Sequence, residues 1–80
     1  MATEPLKSIV CRNIKRYRLQ AEMTQEELAA AIGTKGPYIS AVEHGAKTPG
    51  LDVIERIANA LGVPPDLLLR EIPERVTTGA

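Results

Sequence analysis

Between Gln25 and His44 the chain reads QEELAAAIGTKGPYISAVEH, and the spacing of its apolar and glycine positions leaves little choice of local structure. Leu28, Ala29 and Ile32 make one apolar face, Gly33 interrupts it, and Ile39 and Val42 resume an apolar face three residues apart. This is the pattern of two short helices packed at a steep angle around a tight turn. Ala29 is small where the second helix must cross, and Gly33 can take the positive φ that the turn demands. A helix pinned in this way keeps its other face directed outward.

Eighty residues make one domain at most, with a core too small to house a buried active site, so a binding module is favoured over an enzyme. Phe and Trp are absent and Tyr17 and Tyr38 are the only aromatic residues, so the core must be aliphatic, which suits an all-helical bundle. One Cys and one His fall in different helices, with no nucleophile–base–acid set, glycine-rich phosphate loop or metal-ligand spacing near them; neither catalysis nor a cofactor is expected. Cys11 cannot form an internal disulfide, and among Ile9, Val10 and Ile14 it reads as a small core residue rather than a redox sensor. No apolar run approaches the roughly 18 residues of a membrane span, and nothing resembles a secretory signal, so a cytoplasmic chain with no membrane partner is expected.

Along the chain, Glu4-Pro5 can open a first helix in which Leu6, Ile9, Val10, Ile14, Tyr17 and Ala21 recur at helical spacing through about Gln20. Thr24-Gln25-Glu26-Glu27 is a capping box, so a second helix starts at Gln25 and stops at Gly33. Pro37 is placed to open the third helix with Gly36 as N-cap, and Gly45 closes it. After a loop from Ala46 to Gly50, Leu51, Ile54, Ile57, Ala58 and Leu61 predict a fourth helix ended by Gly62. Val63-Pro64-Pro65-Asp66 opens a fifth, holding Leu67, Leu68 and Leu69. These five helices form one domain over residues 5–72, while residues 73–80 are polar and unpatterned and read as a flexible tail.

Net charge is zero, but the charge is not evenly spread. Lys7, Arg12, Lys15, Arg16 and Arg18 give the first helix five positive charges and no negative one, whereas residues 48–80 carry three basic and five acidic side chains. A basic first half beside an outward-facing helix fits a surface for DNA phosphates, with the third helix entering the major groove.

The residues Thr24-Gln25-Glu26-Glu27-Leu28-Ala29, Gly33, Tyr38-Ile39-Ser40, Val42-Glu43, Gly45, Pro49, Ile57-Ala58 and Ala60-Leu61-Gly62-Val63 stand in an order and spacing that resembles the Cro-like and phage-repressor-like helix-turn-helix regulators, the xenobiotic-response-element family. The likeness covers about residues 6–70. The small controller proteins of restriction-modification systems are especially similar in length and in the run Tyr38-Ile39-Ser40-Ala41-Val42-Glu43. The resemblance implies an all-α, compact five-helix lambda-repressor-like DNA-binding domain with its helix-turn-helix at helices two and three, nucleoid-associated in a bacterial or phage setting. It puts Gln25 at the amino end of helix two, where side chain and free backbone amides clasp a phosphate, a role that helix polarity also favours. Arg18 and Glu43 take the positions of a structural ion pair joining helix one to the end of helix three. Lys47 and Thr48 fall in a connector that approaches the DNA backbone. Lys15 and Arg16 are further backbone candidates on helix one, although only one face of that helix can point at DNA.

The third helix departs from the family pattern. Gly36, Pro37 and Ala41 stand where long polar side chains usually touch base edges, and none of them can make the bidentate hydrogen bonds of direct readout. Thr34, Lys35, Tyr38, Ser40 and His44 remain near the groove. Lys35 can reach a guanine edge or a phosphate and Ser40 a base or a phosphate, while Pro37, Ala41 and the Tyr38 ring can pack on thymine methyl groups. Glu22 replaces the usual helix-ending Gly, implying a strained or shifted helix end. Pro64 replaces the Ser or Thr that would cap helix five. Leu67, Leu68, Leu69 and Ile72 offer more apolar surface than one terminal helix can hide, and with part of helix four they are expected to form a two-fold interface. The expected function is a repressor or autoregulator binding a palindromic operator on double-stranded DNA as a homodimer. The alternative is a protein-binding or antitoxin-like module that keeps the fold and holds a protein partner.

Overall fold

The computed structural model describes residues 5–71, so the expectations for residues 73–80 and for Ile72 lie outside it. Five helices follow one another in this span: α1 (Leu6–Gln20), α2 (Gln25–Ile32), α3 (Gly36–Glu43), α4 (Leu51–Leu61) and α5 (Pro65–Leu69). There is no strand among the described residues. α2 packs chiefly on α3 and α4, and α1 lies along α5 and α3.

The core forms where these apolar faces converge: Val10 and Ile14 from α1, Leu28, Ala29 and Ile32 from α2, Ile39 and Val42 from α3, Ile54, Ile57 and Ala58 from α4, and Leu68 from α5. Ala29 is buried at the α2–α3 crossing, and Gly33 takes φ +83° just beyond α2. The amide after that turn, Thr34 N–H, donates back to the Ala29 carbonyl at 2.8 Å. α1 ends with the same bonding but without glycine. Met23 N–H reaches the Arg18 carbonyl at 3.1 Å while Glu22 sits at φ +58°, a conformation that crowds its Cβ.

α3 begins one residue earlier than the sequence predicts. Lys35, extended and without a side-chain capping bond, is the N-cap, Gly36 is the first helical residue and Pro37 the second. A residue before proline normally avoids the helical region because its Cβ meets the proline ring, and Gly36 has no Cβ. α5 is only five residues long and its N-cap, Pro64, makes no capping bond. Its other end is held from outside. The buried Asn13 side-chain amide donates to the carbonyls of Leu68 (2.9 Å) and Arg70 (2.8 Å) and, at 3.3 Å, to that of Leu67, which also accepts from Arg70 N–H at 3.4 Å.

The packing corrects the assignment of the leucine run. Leu68 is completely buried in the core of the single chain and so cannot also line an interface, whereas Leu67 is half-buried and Leu69 exposed. Leu6 and Leu51, which the periodicity assigned to apolar faces, are 56% and 80% exposed. With Leu69 they surround a shallow apolar groove floored by Val10, Pro49 and Ile54.

Candidate nucleic-acid interface

The capping box fixes the start of α2. Glu27 N–H donates to Thr24 Oγ1 at 3.0 Å, and Thr24 N–H donates to Glu27 Oε1 at 2.8 Å. Gln25 and Glu26 follow as the first two residues of the helix, in the turn whose backbone amides have no intrahelical acceptor and where the helix dipole favours an anion.

Glu43, the last residue of α3, binds three helices together. Arg18 of α1 donates through Nε to Glu43 Oε2 at 2.7 Å and through Nη2 to Glu43 Oε1 at 3.0 Å, while Nη1 reaches the Met23 carbonyl at 2.8 Å. The Gln25 side-chain amide donates to the same Glu43 Oε1 at 3.1 Å. The Arg18 and Glu43 side chains are only 8% and 2% exposed, so the pair sits at low dielectric with nearly all its polar atoms satisfied. The Glu43 hydrogen bond holds the Arg18 pKa above its ordinary value against the opposing effect of burial. Gln25 is thereby oriented by the buried ion pair at the amino end of α2.

α3 divides cleanly between two faces. Ile39 and Val42 are fully buried, and the half-buried Tyr38 packs against the core rather than standing clear of it. On the outer side, Pro37 and His44 are exposed and Ser40 and Ala41 half-exposed, with Lys35 exposed and Thr34 half-buried at the helix entrance. His44 Nδ1 lies 2.8 Å from the Ser40 carbonyl. Because a carbonyl can only accept, Nδ1 carries the proton there and Nε2 is left as the second polar atom of the ring.

Gly36 does not belong to this outer surface. It is buried, and a Cβ built there would meet Glu26 Oε2 at 3.0 Å and Glu26 Cγ and Cδ at 3.2 Å. The Glu26 side chain occupies the place that a side chain at position 36 would take. Nothing in the spacing of the capping box marks Glu26, which lies beside Gln25 between the two capping partners and meets Gly36 only through the α2–α3 crossing.

The basic residues of α1 separate in space. Lys15 lines an open groove together with Lys7, Arg12, His44 and Gly45, beside the carboxyl end of α3. Arg16, half-buried, is not among the residues of that groove. Lys7 and Lys15, two helical turns apart, announce this face by spacing alone. Lys47 and Thr48 are exposed in the loop before α4, and Thr48 borders the apolar groove instead. Cys11 is buried, and burial pushes its thiol pKa up, with Lys7 pulling the other way. Among the described residues no group of three His, Cys, Asp or Glu side chains is placed to hold a metal, and no helix is long and apolar enough to cross a membrane.

A helix-turn-helix family model matches residues 14–68. The control protein C.BamHI of Bacillus amyloliquefaciens is 37% identical over 68 residues, which are 84% of each chain. The crystal structure of the hypothetical transcription factor NHTF from Neisseria superposes with a TM-score of 0.81 at 34% identity, covering 98% of this chain and 94% of the other. The restriction-modification controller protein C.AhdI from Aeromonas hydrophila gives 0.74 at 27% identity, covering 78% and 90%.

Proposed function

Since the chain belongs to the helix-turn-helix family of Cro/C1-like transcriptional regulators, we propose that it binds double-stranded DNA as a homodimer at a palindromic operator and acts as a repressor or autoregulator. The observation that carries this reading is the Arg18–Glu43–Gln25 network. It fixes the amino end of α2 and the outer stripe of α3 in one rigid relation before DNA is met. In this reading α3 enters the major groove and presents Pro37, Ser40, Ala41 and His44 along its outer face. Lys35 and Thr34 stand at its entrance, and Gln25 takes a phosphate through its amides. Lys15 and Lys47 contribute electrostatic backbone contacts on either side.

Direct hydrogen-bonding capacity on α3 is small, so much of the sequence preference comes from DNA shape and bending across two half-sites about 34 Å apart. Two copies are needed for that. The exposed Leu6, Leu51 and Leu69 around their apolar groove support a two-fold contact formed by α5 with the start of α4.

Selection of bound duplexes from a randomised pool at near-physiological salt tests the reading. The expected result is a two-fold symmetric motif. Retention without any enriched motif, vanishing as salt rises, would mean phosphate attraction alone and would turn the search toward a protein partner.

A further inference from the structure

The amino end of a recognition helix is the part that reaches base edges, and here its first residue has no side chain while its second is proline. The space above Gly36 is nevertheless filled. Glu26 reaches across from α2 and sets its carboxylate 3.0 Å from where a Cβ at position 36 would stand, burying the glycine. Glu26 itself is exposed, and its carboxylate lies within the field of the Arg18 guanidinium. A long polar side chain therefore stands at the tip of α3 after all, supplied by the neighbouring helix.

We infer that Glu26 is a specificity-determining residue that reads a cytosine in each half-site; this rests on the DNA-binding reading above. The chemistry selects the base. An ionised carboxylate only accepts hydrogen bonds, so it needs a donor in the major groove. Guanine presents two acceptors there and thymine an acceptor beside a methyl group, so both repel it. Adenine offers its amino group next to an acceptor nitrogen, and only cytosine offers a donor with no acceptor beside it. The same negative charge is repelled by phosphates at every site. Glu26 thus weakens binding in general and recovers the loss only where a cytosine amino group meets it.

Glycine at position 36 is part of the arrangement. A methyl group there would press on the carboxylate, and on the Pro37 ring that follows, without altering the net charge of the protein, so this variant is read only where melting shows the fold intact. Position and charge can therefore be tested apart.

The experiment is parallel selection from one randomised duplex pool with wild type, Glu26→Gln and Gly36→Ala, with thermal melting of each protein as a folding check. Wild type should enrich a symmetric motif containing one cytosine-preferring position per half-site. Glu26→Gln should lower the cytosine preference there by about tenfold and move it toward adenine, which a carboxamide can bond bidentately. Affinity for unrelated duplex should rise. Gly36→Ala should blur the same position while leaving that general affinity near the wild-type value. A wild-type motif that Glu26→Gln leaves unchanged at every position overturns the inference and spares the regulator reading, as does a uniform rise in affinity without change of motif. A wild-type pool with no motif overturns the regulator reading and this inference with it.

Discussion

α2 and α5 are both short helices, but they solve the problem of their ends in opposite ways. α2, eight residues long, satisfies its ends chiefly through neighbours in the chain, with the Thr24–Glu27 box at its start and the Gly33 turn at its close, and Arg56 of α4 adds one bond to the Ile32 carbonyl at 3.3 Å. α5, five residues long, has a proline cap with no side-chain bond and relies on a buried asparagine 54 to 57 positions away to donate to the carbonyls at its close. The helix that fronts the candidate DNA surface is specified by its own neighbourhood. The helix at the edge of the fold is specified by tertiary structure, so α5 should be lost first and α2 last.

Three substitutions probe that contrast, and the largest effect should come from the shared frame. Arg18→Ala leaves the Glu43 carboxylate buried without its cation and should cost about 3–5 kcal/mol in chemical denaturation. Loss of the α2–α3 fold should accompany it. A cost below about 1 kcal/mol would show that the frame does not depend on the pair. Asn13→Ala should cost about 2 kcal/mol, since the Leu68 and Arg70 carbonyls lose the Asn13 donor and Leu67 keeps only the Arg70 amide. Amide hydrogen exchange should speed up across α5 while α2 and α3 keep their protection; uniform acceleration throughout would erase the distinction between the two helices. The smallest effect has the opposite sign. Glu22→Gly relieves the left-handed strain at the end of α1 and should stabilise the protein by about 0.5–1 kcal/mol, read as a higher melting temperature.

Much of this architecture can be read from the order of residues, because it depends on neighbours in the chain. The capping box, the turn at Gly33 and the ends of α2 and α4 are local events, and the five helices stand close to where the periodicity puts them. The start of α3 lies one residue before the position that Pro37 predicts, because glycine is exempt from the pre-proline clash. What periodicity could not supply is closure between elements. Three consecutive leucines in a five-residue helix do not say which faces inward, and only packing against α1 and α4 selects Leu68. Asn13 left a trace, a polar residue one step from Ile14 in an apolar stripe, yet its acceptors lie at the far end of the chain. The covering of Gly36 by Glu26 likewise joins residues that only the α2–α3 crossing angle brings together.

The division of α3 into two faces has a consequence for descent. Ile39, Val42 and Glu43 carry the packing and the ion pair, while Pro37, Ser40 and Ala41 touch little that the fold requires. Substitutions on the outer face are therefore nearly neutral for folding, and under the DNA-binding reading proposed above, lineages carrying this domain can exchange one operator for another by small steps without passing through an unfolded ancestor.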